Sequence, residues 1–196
     1  ATVVNDAGLT FAASTVGGNL DATATAGNMT DSGALAITGT TNLTTSANNA
    51  TIALDTTTNA FTGAVTITTN DNSDTDADVT IDGGTTALVL AASTIDGDLT
   101  VRSGHASGIT DDEGTVTVGG NLAATTDANN GVINLTALAV NGTIAVVTNG
   151  AGGATVVNDA GLNLAASTVG GNLLATATTG HITDSGTLTI AGASTF

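Results

Sequence analysis

Hydrophobic and polar residues alternate along the chain in short runs. Val65 and Ile67 flank one threonine, and Val79 and Ile81 flank another. Alternation at every second residue is the period of a β-strand, and the enrichment in Thr and Val agrees with strand formation. Turn-forming phrases, such as Gly-Gly-Asn at 17–19, separate the runs. Because no 3.6-residue stripe of apolar residues persists, the pattern predicts an all-β chain.

The pattern also repeats on a large scale. Residues 1–43 align with residues 154–196 without a gap, and 30 of the 43 positions are identical at an offset of 153. We therefore interpret residues 1–153 as one full repeat and residues 154–196 as the start of the next repeat. Together they are expected to form a single continuous solenoid cut from a longer chain.

Six smaller units fit inside the large repeat. Apolar strand starts recur every 22–28 residues, at Leu9, Leu35, Phe61, Leu88, Val116, Leu138 and Leu162. A second apolar series follows them at Leu20, Leu43, Val65, Leu99, Leu122, Ile144 and Leu173. The phrases AASTVGGNL at 12–20 and AASTIDGDL at 91–99 indicate that the large repeat is itself a doubled block of three units.

Each unit of about 25 residues contains three short strands, which predicts one coil of a parallel β-helix. The chain would then form a solenoid of about 7–8 coils, six of them in the full repeat. A β-sandwich is the structural alternative. It would need hairpins, and no strict repeat is expected of it.

Composition and charge exclude several classes of protein. The chain has 17 acidic residues and one basic residue, for a formal net charge of −16, and it contains no Cys. A chain with this charge is not expected to bind nucleic acid or an anionic membrane surface. Without Cys it forms neither disulfides nor thiolate metal sites. No apolar run approaches the ~18 residues of a bilayer span, so membrane insertion is not expected either.

Three phrases carry a resemblance to known proteins: STVGGNL at 14–20, ATATAGNMTDSGALAITG at 22–39 and NAFTGAVTI at 59–67. They resemble the filamentous-haemagglutinin-like and "β-strand repeat" proteins of bacteria, which are very large secreted or surface polypeptides. The resemblance covers essentially the whole chain. It implies a right-handed parallel β-helix shaft that is exported unfolded, folds outside the cell and serves adhesion or fibre formation.

The acidic segment at 71–78 (DNSDTDAD) is the sharpest candidate site. Its carboxylates alternate along the chain, and hard Ca²⁺ ions prefer oxygen ligands of this kind. The segment is an insertion relative to the matching loop at 150–154. We take Asp74, Asp76 and Asp78 as candidate Ca²⁺ ligands, and a solvated acidic loop as the alternative.

The sequence gives weaker support to other candidate sites and activities. The Asp-Asp-Glu run at 111–113 is a lesser candidate for Ca²⁺. Catalysis is not expected, because most aspartates lie in turn phrases and the chain has no Trp or Tyr on which a sugar could stack. His105 and His181 lie in different phrases, which favours structural surface roles. The outward threonines are too irregularly placed for an ice-binding lattice.

An Asn or Asp precedes the second strand of most units, at Asn19, Asn42, Asp98, Asn121 and Asn172. In a β-helix, like residues of adjacent coils lie above one another. We therefore expect short polar ladders in the turns, with Asn19 on Asn42 and Asp98 on Asn121, and we assign them a structural role.

The sequence thus predicts a non-catalytic shaft segment of a giant extracellular bacterial adhesin or cell-surface fibre. Its expected partners are identical repeats, met through end-to-end self-association or covalent continuation, and a surface carbohydrate or host-cell ligand. The alternative is a calcium-dependent β-helix module that binds a carbohydrate or a partner protein, with Ca²⁺ as the candidate cofactor.

Overall fold

A computed structural model describes residues 1–70, 76–112 and 114–196. Within these ranges the regular structure consists of short β-strands. In chain order they are β1 (Thr2–Asn5), β2 (Leu9–Phe11), β3 (Ser14–Val16), β4 (Leu20–Ala24), β5 (Met29–Asp31), β6 (Leu35–Ile37), β7 (Thr41–Thr45), β8 (Ile52–Leu54), β9 (Ala60–Phe61), β10 (Val65–Thr68), β11 (Val79–Asp82), β12 (Leu88–Leu90), β13 (Ser93–Ile95), β14 (Leu99–Ser103), β15 (Ile109–Asp111), β16 (Val116–Val118), β17 (Leu122–Asn129), β18 (Ile133–Val140), β19 (Thr143–Asn149), β20 (Ala154–Asn158), β21 (Leu162–Leu164), β22 (Ser167–Val169), β23 (Leu173–Ala177), β24 (Ile182–Asp184), β25 (Leu188–Ile190) and β26 (Ser194–Thr195). None of the described segments is a helix long and apolar enough to cross a bilayer.

The strands stack in parallel as a β-solenoid of about nine turns, with about 21 residues in each turn. They form three sheets, of twelve, eleven and three strands. The path of the first sheet is β1-β4-β7-β10-β12-β15-β18-β20-β23-β26, that of the second is β2-β5-β8-β11-β14-β17-β19-β21-β24, and that of the third is β3-β6-β9. The predicted all-β parallel β-helix is therefore confirmed.

The predicted coil of about 25 residues was too long, and the predicted number of 7–8 coils was too small. Leu9 pairs with Met29 of β5, and the predicted match of Leu9 with Leu35 is wrong. Leu35 belongs to β6, which lies in another sheet. Every face of the coil carries apolar inward residues. The first apolar series therefore joined strands of different faces, and its spacing is longer than one turn of the solenoid.

Equivalent inward side chains form columns through the core. One column contains Leu9, Met29, Ile52, Val79, Leu99, Leu122, Ile144 and Leu164. All of them except the half-buried Leu9 are at most 1% exposed. The second apolar series is in direct register here, because Leu99 pairs with Leu122 and Leu122 with Ile144. Each coil buries a few aliphatic side chains, so stability depends on contacts between neighbouring coils.

At two places within the described residues, one strand of a coil pairs with two strands of the next coil. β10 pairs with β12 through Val65 and with β13 through Thr68. β19 pairs in the same way with β21 and β22. In both cases the phrase Ala-Ala-Ser-Thr, at 91–94 and 165–168, turns the chain between the two upper strands. The repeated phrase therefore marks a corner at which the cross-section of the coil changes.

Candidate functional site

The polar side chains at the turns join one coil to the next. In six turns of the described part of the chain, the residue immediately before a strand is an Asn or Asp whose Oδ1 accepts a backbone N–H from the following coil, at 2.6–3.1 Å. We call this set the corner ladder: Asn19, Asn28, Asp78, Asp98, Asn121 and Asn172. The donors are the N–H groups of Thr40, Thr51, Asp98, Asn121, Thr143 and Ala193.

Glycine makes room for these oxygens. In five coils a Cβ added to the glycine beside the ladder would lie only 2.2–2.6 Å from the ladder Oδ1. These residues are Gly39, Gly97, Gly120, Gly142 and Gly192. Any larger residue would push the coils apart, because real Cβ atoms do not approach an oxygen so closely.

The ladder prediction was correct for four of the five residues it named. Asn121 donates its side-chain N–H to Asp98 at 3.1 Å, as expected. The predicted stacking of Asn19 on Asn42 is wrong. Asn42 lies inside β7 opposite Asp21, and its Nδ2 donates to the Asp21 carboxylate at 3.1 Å. Because β7 begins at Thr41, two residues before the predicted start at Leu43, Asn42 lies within the strand.

Two serines perform a similar function at the Ala-Ala-Ser-Thr corners. The Ser93 hydroxyl donates to Ala91 O at 2.8 Å and accepts the N–H of Ile67 from the preceding coil at 2.9 Å. The Ser167 hydroxyl donates to Ala165 O at 2.9 Å and accepts the N–H of Val146 at 3.0 Å. Each serine thus satisfies a backbone N–H beneath it where two upper strands diverge.

The side-chain amide of the buried Asn158 takes the place of a peptide group between two coils. Asn158 is 1% exposed. Its Oδ1 accepts the N–H of Val140 at 2.8 Å, and its Nδ2 donates to Val140 O at 3.0 Å and to Gly161 O at 2.8 Å. Asn158 was not among the predicted site residues, although its position directly after the apolar phrase ATVV at 154–157 was an available signal.

The acidic segment is only partly within the described residues. Asp74 lies outside them. Asp76 is half-buried, and no donor among the described residues contacts its Oδ1. Asp78 is a member of the corner ladder, since its Oδ1 accepts the N–H of Asp98 at 2.8 Å. The described residues contain no group of three His, Cys, Asp or Glu side chains that could hold a metal ion. The Ca²⁺ site at Asp74, Asp76 and Asp78 stays a prediction.

In the second acidic run, Asp111 is used in the fold. Glu113 lies outside the described residues. The Asp111 carboxylate accepts the N–H groups of Thr136 and Ala137, both at 2.6 Å, and the Thr136 hydroxyl at 3.1 Å. Asp111 therefore fixes the middle of β18. His105 and His181 are both exposed.

The single basic residue lies between two aspartates. Arg102 Nε is 2.7 Å from Asp127 Oδ2, and this hydrogen bond raises the pKa of the guanidinium. Arg102 also pairs in register with Asp82, which is 6% exposed. Burial raises the pKa of the Asp82 carboxyl, while the Gly84 N–H and the Arg102 charge lower it. The coils on both sides of Asp82 cover its carboxylate, so the negative charge is poorly solvated.

Three segments of the chain match one family of repeats. The family is described as "Repeats of unknown function (DUF5649)", and the matches cover residues 1–68, 76–149 and 151–196. The chain belongs to this repeat family. No curated protein and no solved structure matches the chain.

The family matches follow the geometry of the solenoid. They begin at residues 1, 76 and 151, so the family unit is about half of the 153-residue repeat. The first match ends with β10 and the second ends with β19, the two strands that support a pair of strands in the next coil. The matches leave out residues 69–75, which contain most of the acidic segment.

Proposed function

We propose that this chain is a non-catalytic shaft segment of a large extracellular bacterial fibre or cell-surface adhesin. One observation carries the proposal: the path of the first sheet runs without a break from β1 to β26. About nine turns, each rising by the ~4.8 Å strand spacing, give a rod about 40 Å long. A rod of stacked coils is suited to spacing and to load bearing, because each added repeat lengthens it.

The use of the polar residues supports this proposal. The ladder oxygens, the corner serines and Asn158 all bind backbone groups of a neighbouring coil. These side chains hold coils in register. The resemblance to filamentous-haemagglutinin-like proteins adds the extracellular setting, the role in adhesion, and a surface carbohydrate or host-cell ligand as the class of partner.

A second candidate is a calcium-dependent module that binds a carbohydrate or a partner protein. The buried Oδ1 of Asp76, which meets no donor within the described residues, favours it. Melting curves of the chain in calcium and in EDTA test this candidate separately.

The shaft proposal is tested by imaging and by labelling intact cells. Chains of one, two and three 153-residue repeats should appear in electron micrographs as rods whose length grows linearly, by about 4.8 Å for each added coil. Antibodies against the repeat should label the surface of intact cells of the organism that produces it. Globular particles, or labelling only after the cells are permeabilised, would contradict the proposal.

A further inference from the structure

Three Asn-Gly pairs occur in the chain, at 130–131, 141–142 and 149–150. Such pairs are chemically labile, because the backbone nitrogen of the glycine can attack the carboxamide of the preceding asparagine. Glycine has no Cβ that would obstruct this attack. The three asparagines are all exposed, so exposure alone does not distinguish them.

The three glycine nitrogens differ in their hydrogen bonds. The N–H of Gly131 donates to Ala128 O at 3.0 Å, and that of Gly142 donates to Gly120 O of the preceding coil at 3.0 Å. The N–H of Gly150 has no acceptor among the described residues, and Gly150 is exposed. A backbone nitrogen attacks only after it has lost its proton, and a hydrogen bond to a carbonyl opposes that loss. Gly150 therefore carries the most reactive of the three nitrogens.

The asparagine side chains differ as well. Asn130 Oδ1 accepts the N–H of Ala151 from the following coil at 2.7 Å. The Asn141 side chain has no hydrogen-bond partner among the described residues, but the nitrogen that would attack it is bonded to the coil beneath. Asn149 is held by one bond, from its Nδ2 to Asp127 O at 2.8 Å. We propose that Asn149 is a site of spontaneous deamidation in the folded chain.

The reaction at Asn149 needs only water as a co-reactant. The Gly150 nitrogen attacks Asn149 Cγ, the Cγ–Nδ2 bond breaks, and the amide nitrogen leaves as ammonia with the proton lost from Gly150. Water then opens the five-membered succinimide at either of its carbonyl groups. The product is aspartate, or isoaspartate in which the main chain runs through Cγ. Either product adds one negative charge to a chain whose formal charge is already −16.

Asn149 lies at the junction of two family units, since one family match ends at residue 149 and the next begins at residue 151. Deamidation removes the donor to Asp127 O and places a carboxylate beside that carbonyl oxygen. The backbone carbonyl of Asn149 accepts the N–H groups of Asn130 and Gly152, at 2.9 and 3.3 Å. Isoaspartate takes this carbonyl group out of the main chain. The modification therefore weakens the contact between coils at the junction as the protein ages, whether or not the chain serves as a shaft.

The other two Asn-Gly pairs are internal controls for the test. The full chain is kept at mildly alkaline pH, either folded in buffer or unfolded in urea, and its fragments are analysed by mass spectrometry that distinguishes Asn, Asp and isoaspartate. In the folded chain Asn149 should convert at least about tenfold faster than Asn130 and Asn141, because Gly131 and Gly142 must first lose a hydrogen bond. In urea the three rates should be similar.

Two results of this experiment would overturn the proposal. One is conversion of Asn130 or Asn141 in the folded chain at the rate of Asn149 or faster. The other is a preference for Asn149 that is equally large in urea, because the local sequence would then be its cause.

A pair of variants tests the effect on the junction. Asn149→Asp carries the aspartate product and should lower the melting temperature by about 2–4 °C, because a hydrogen bond between coils is lost. Asn141→Asp adds the same charge at an exposed side chain that makes no hydrogen bond to a described residue, and it should leave the melting temperature unchanged. Equal shifts in the two variants would reject the weakening of the junction.

Discussion

Residues 1–43 and 154–196 are two copies of one sequence with opposite neighbours in the stack. Five strands of the second copy, β21–β25, repeat the bounds of β2–β6 at an offset of 153. In the first copy, β1, β2 and β3 pair only with the coil that follows them, whereas their counterparts β20, β21 and β22 also pair with the coil before them. Val156 is consequently 0% exposed, and its counterpart Val3 is only half-buried. The local sequence sets the strands, and the neighbouring coil sets burial and hydrogen bonding.

The largest expected difference between the copies concerns glycine. Gly170→Ala forces a Cβ to within 1.7 Å of Gly150 O, so the backbone must shift and the chain should lose about 3 kcal/mol of stability. Gly17→Ala meets nothing within 4 Å and should change stability by less than about 0.5 kcal/mol. Urea denaturation followed by circular dichroism measures both variants. Equal losses would show that the two copies have the same surroundings.

The asparagine pair should show the next largest difference. Asn158→Ala leaves the buried N–H and C=O of Val140 without partners and should cost about 2 kcal/mol. Asn5→Ala removes one exposed hydrogen bond, to Gly8 O, and should cost less than about 1 kcal/mol. The same denaturation experiment serves for both variants. A cost for Asn5→Ala as large as that for Asn158→Ala would contradict the comparison.

Asp82, in the middle of the stack, extends the comparison to a side chain that is covered by a coil on each side. Because burial raises the pKa of Asp82, the folded chain binds more protons than the unfolded chain just above the ordinary Asp pKa. The contribution of Asp82 to the stability of the fold should therefore decrease as the pH rises above the ordinary Asp pKa. It should stay low at neutral pH. Asp82→Asn keeps an acceptor for the Gly84 N–H and should raise the melting temperature at pH 7.

The pH dependence distinguishes this cause from a general charge effect. The gain from Asp82→Asn should disappear below the ordinary Asp pKa, where the carboxyl is protonated in both states. Asp6→Asn, at an exposed position of the first coil, is the matched control. A gain of the same size at all pH values would reject burial of the charge as the cause.

The smallest expected effect concerns the half of the repeat that contains the acidic segment. If Ca²⁺ binds there, the ion should add about 1 kcal/mol of stability at a free concentration about fivefold above Kd. Replacing Asp74, Asp76 and Asp78 with Asn should remove most of this gain. Melting curves in calcium and in EDTA provide the measurement, and identical curves for the unsubstituted chain would reduce the segment to a solvated acidic insertion.

Much of the fold could be predicted because two simple periods coincide in the sequence. Alternating residues such as Val79 and Ile81 predict strands, and copied phrases predict stacking of like on like. The turn length could not be read in the same way. Leu9 and Leu35 are both inward and apolar, and only the fold shows that they belong to different sheets.

The polar contacts between coils could be predicted only in part. An Asn or Asp before a strand indicated the corner ladder, but the glycines looked like ordinary turn formers. The need for Gly39 arises from the Asn19 oxygen of the preceding coil, which an added Cβ would approach to 2.2 Å. Such a requirement depends on the register between coils, and a single strand phrase does not contain it.

Amide hydrogen exchange in the unsubstituted chain measures directly whether the neighbouring coil sets the backbone hydrogen bonding of each copy. Asp159 and Ala165 donate to Leu138 O and Ile144 O of the preceding coil, at 2.8 and 2.9 Å, and should exchange slowly. Their counterparts Asp6 and Ala12 lie in the first coil, where no backbone carbonyl of the described residues accepts their N–H groups. These two amides should exchange at nearly the rate of an unstructured peptide.

Two further amides are the internal control for this measurement. Leu9 and Leu162 both donate to the coil that follows, to Asn28 O at 2.8 Å and His181 O at 2.9 Å, and should be protected in both copies. Only the amides directed at the preceding coil should therefore differ in exchange rate between the copies. Equal protection of Ala12 and Ala165 would contradict it.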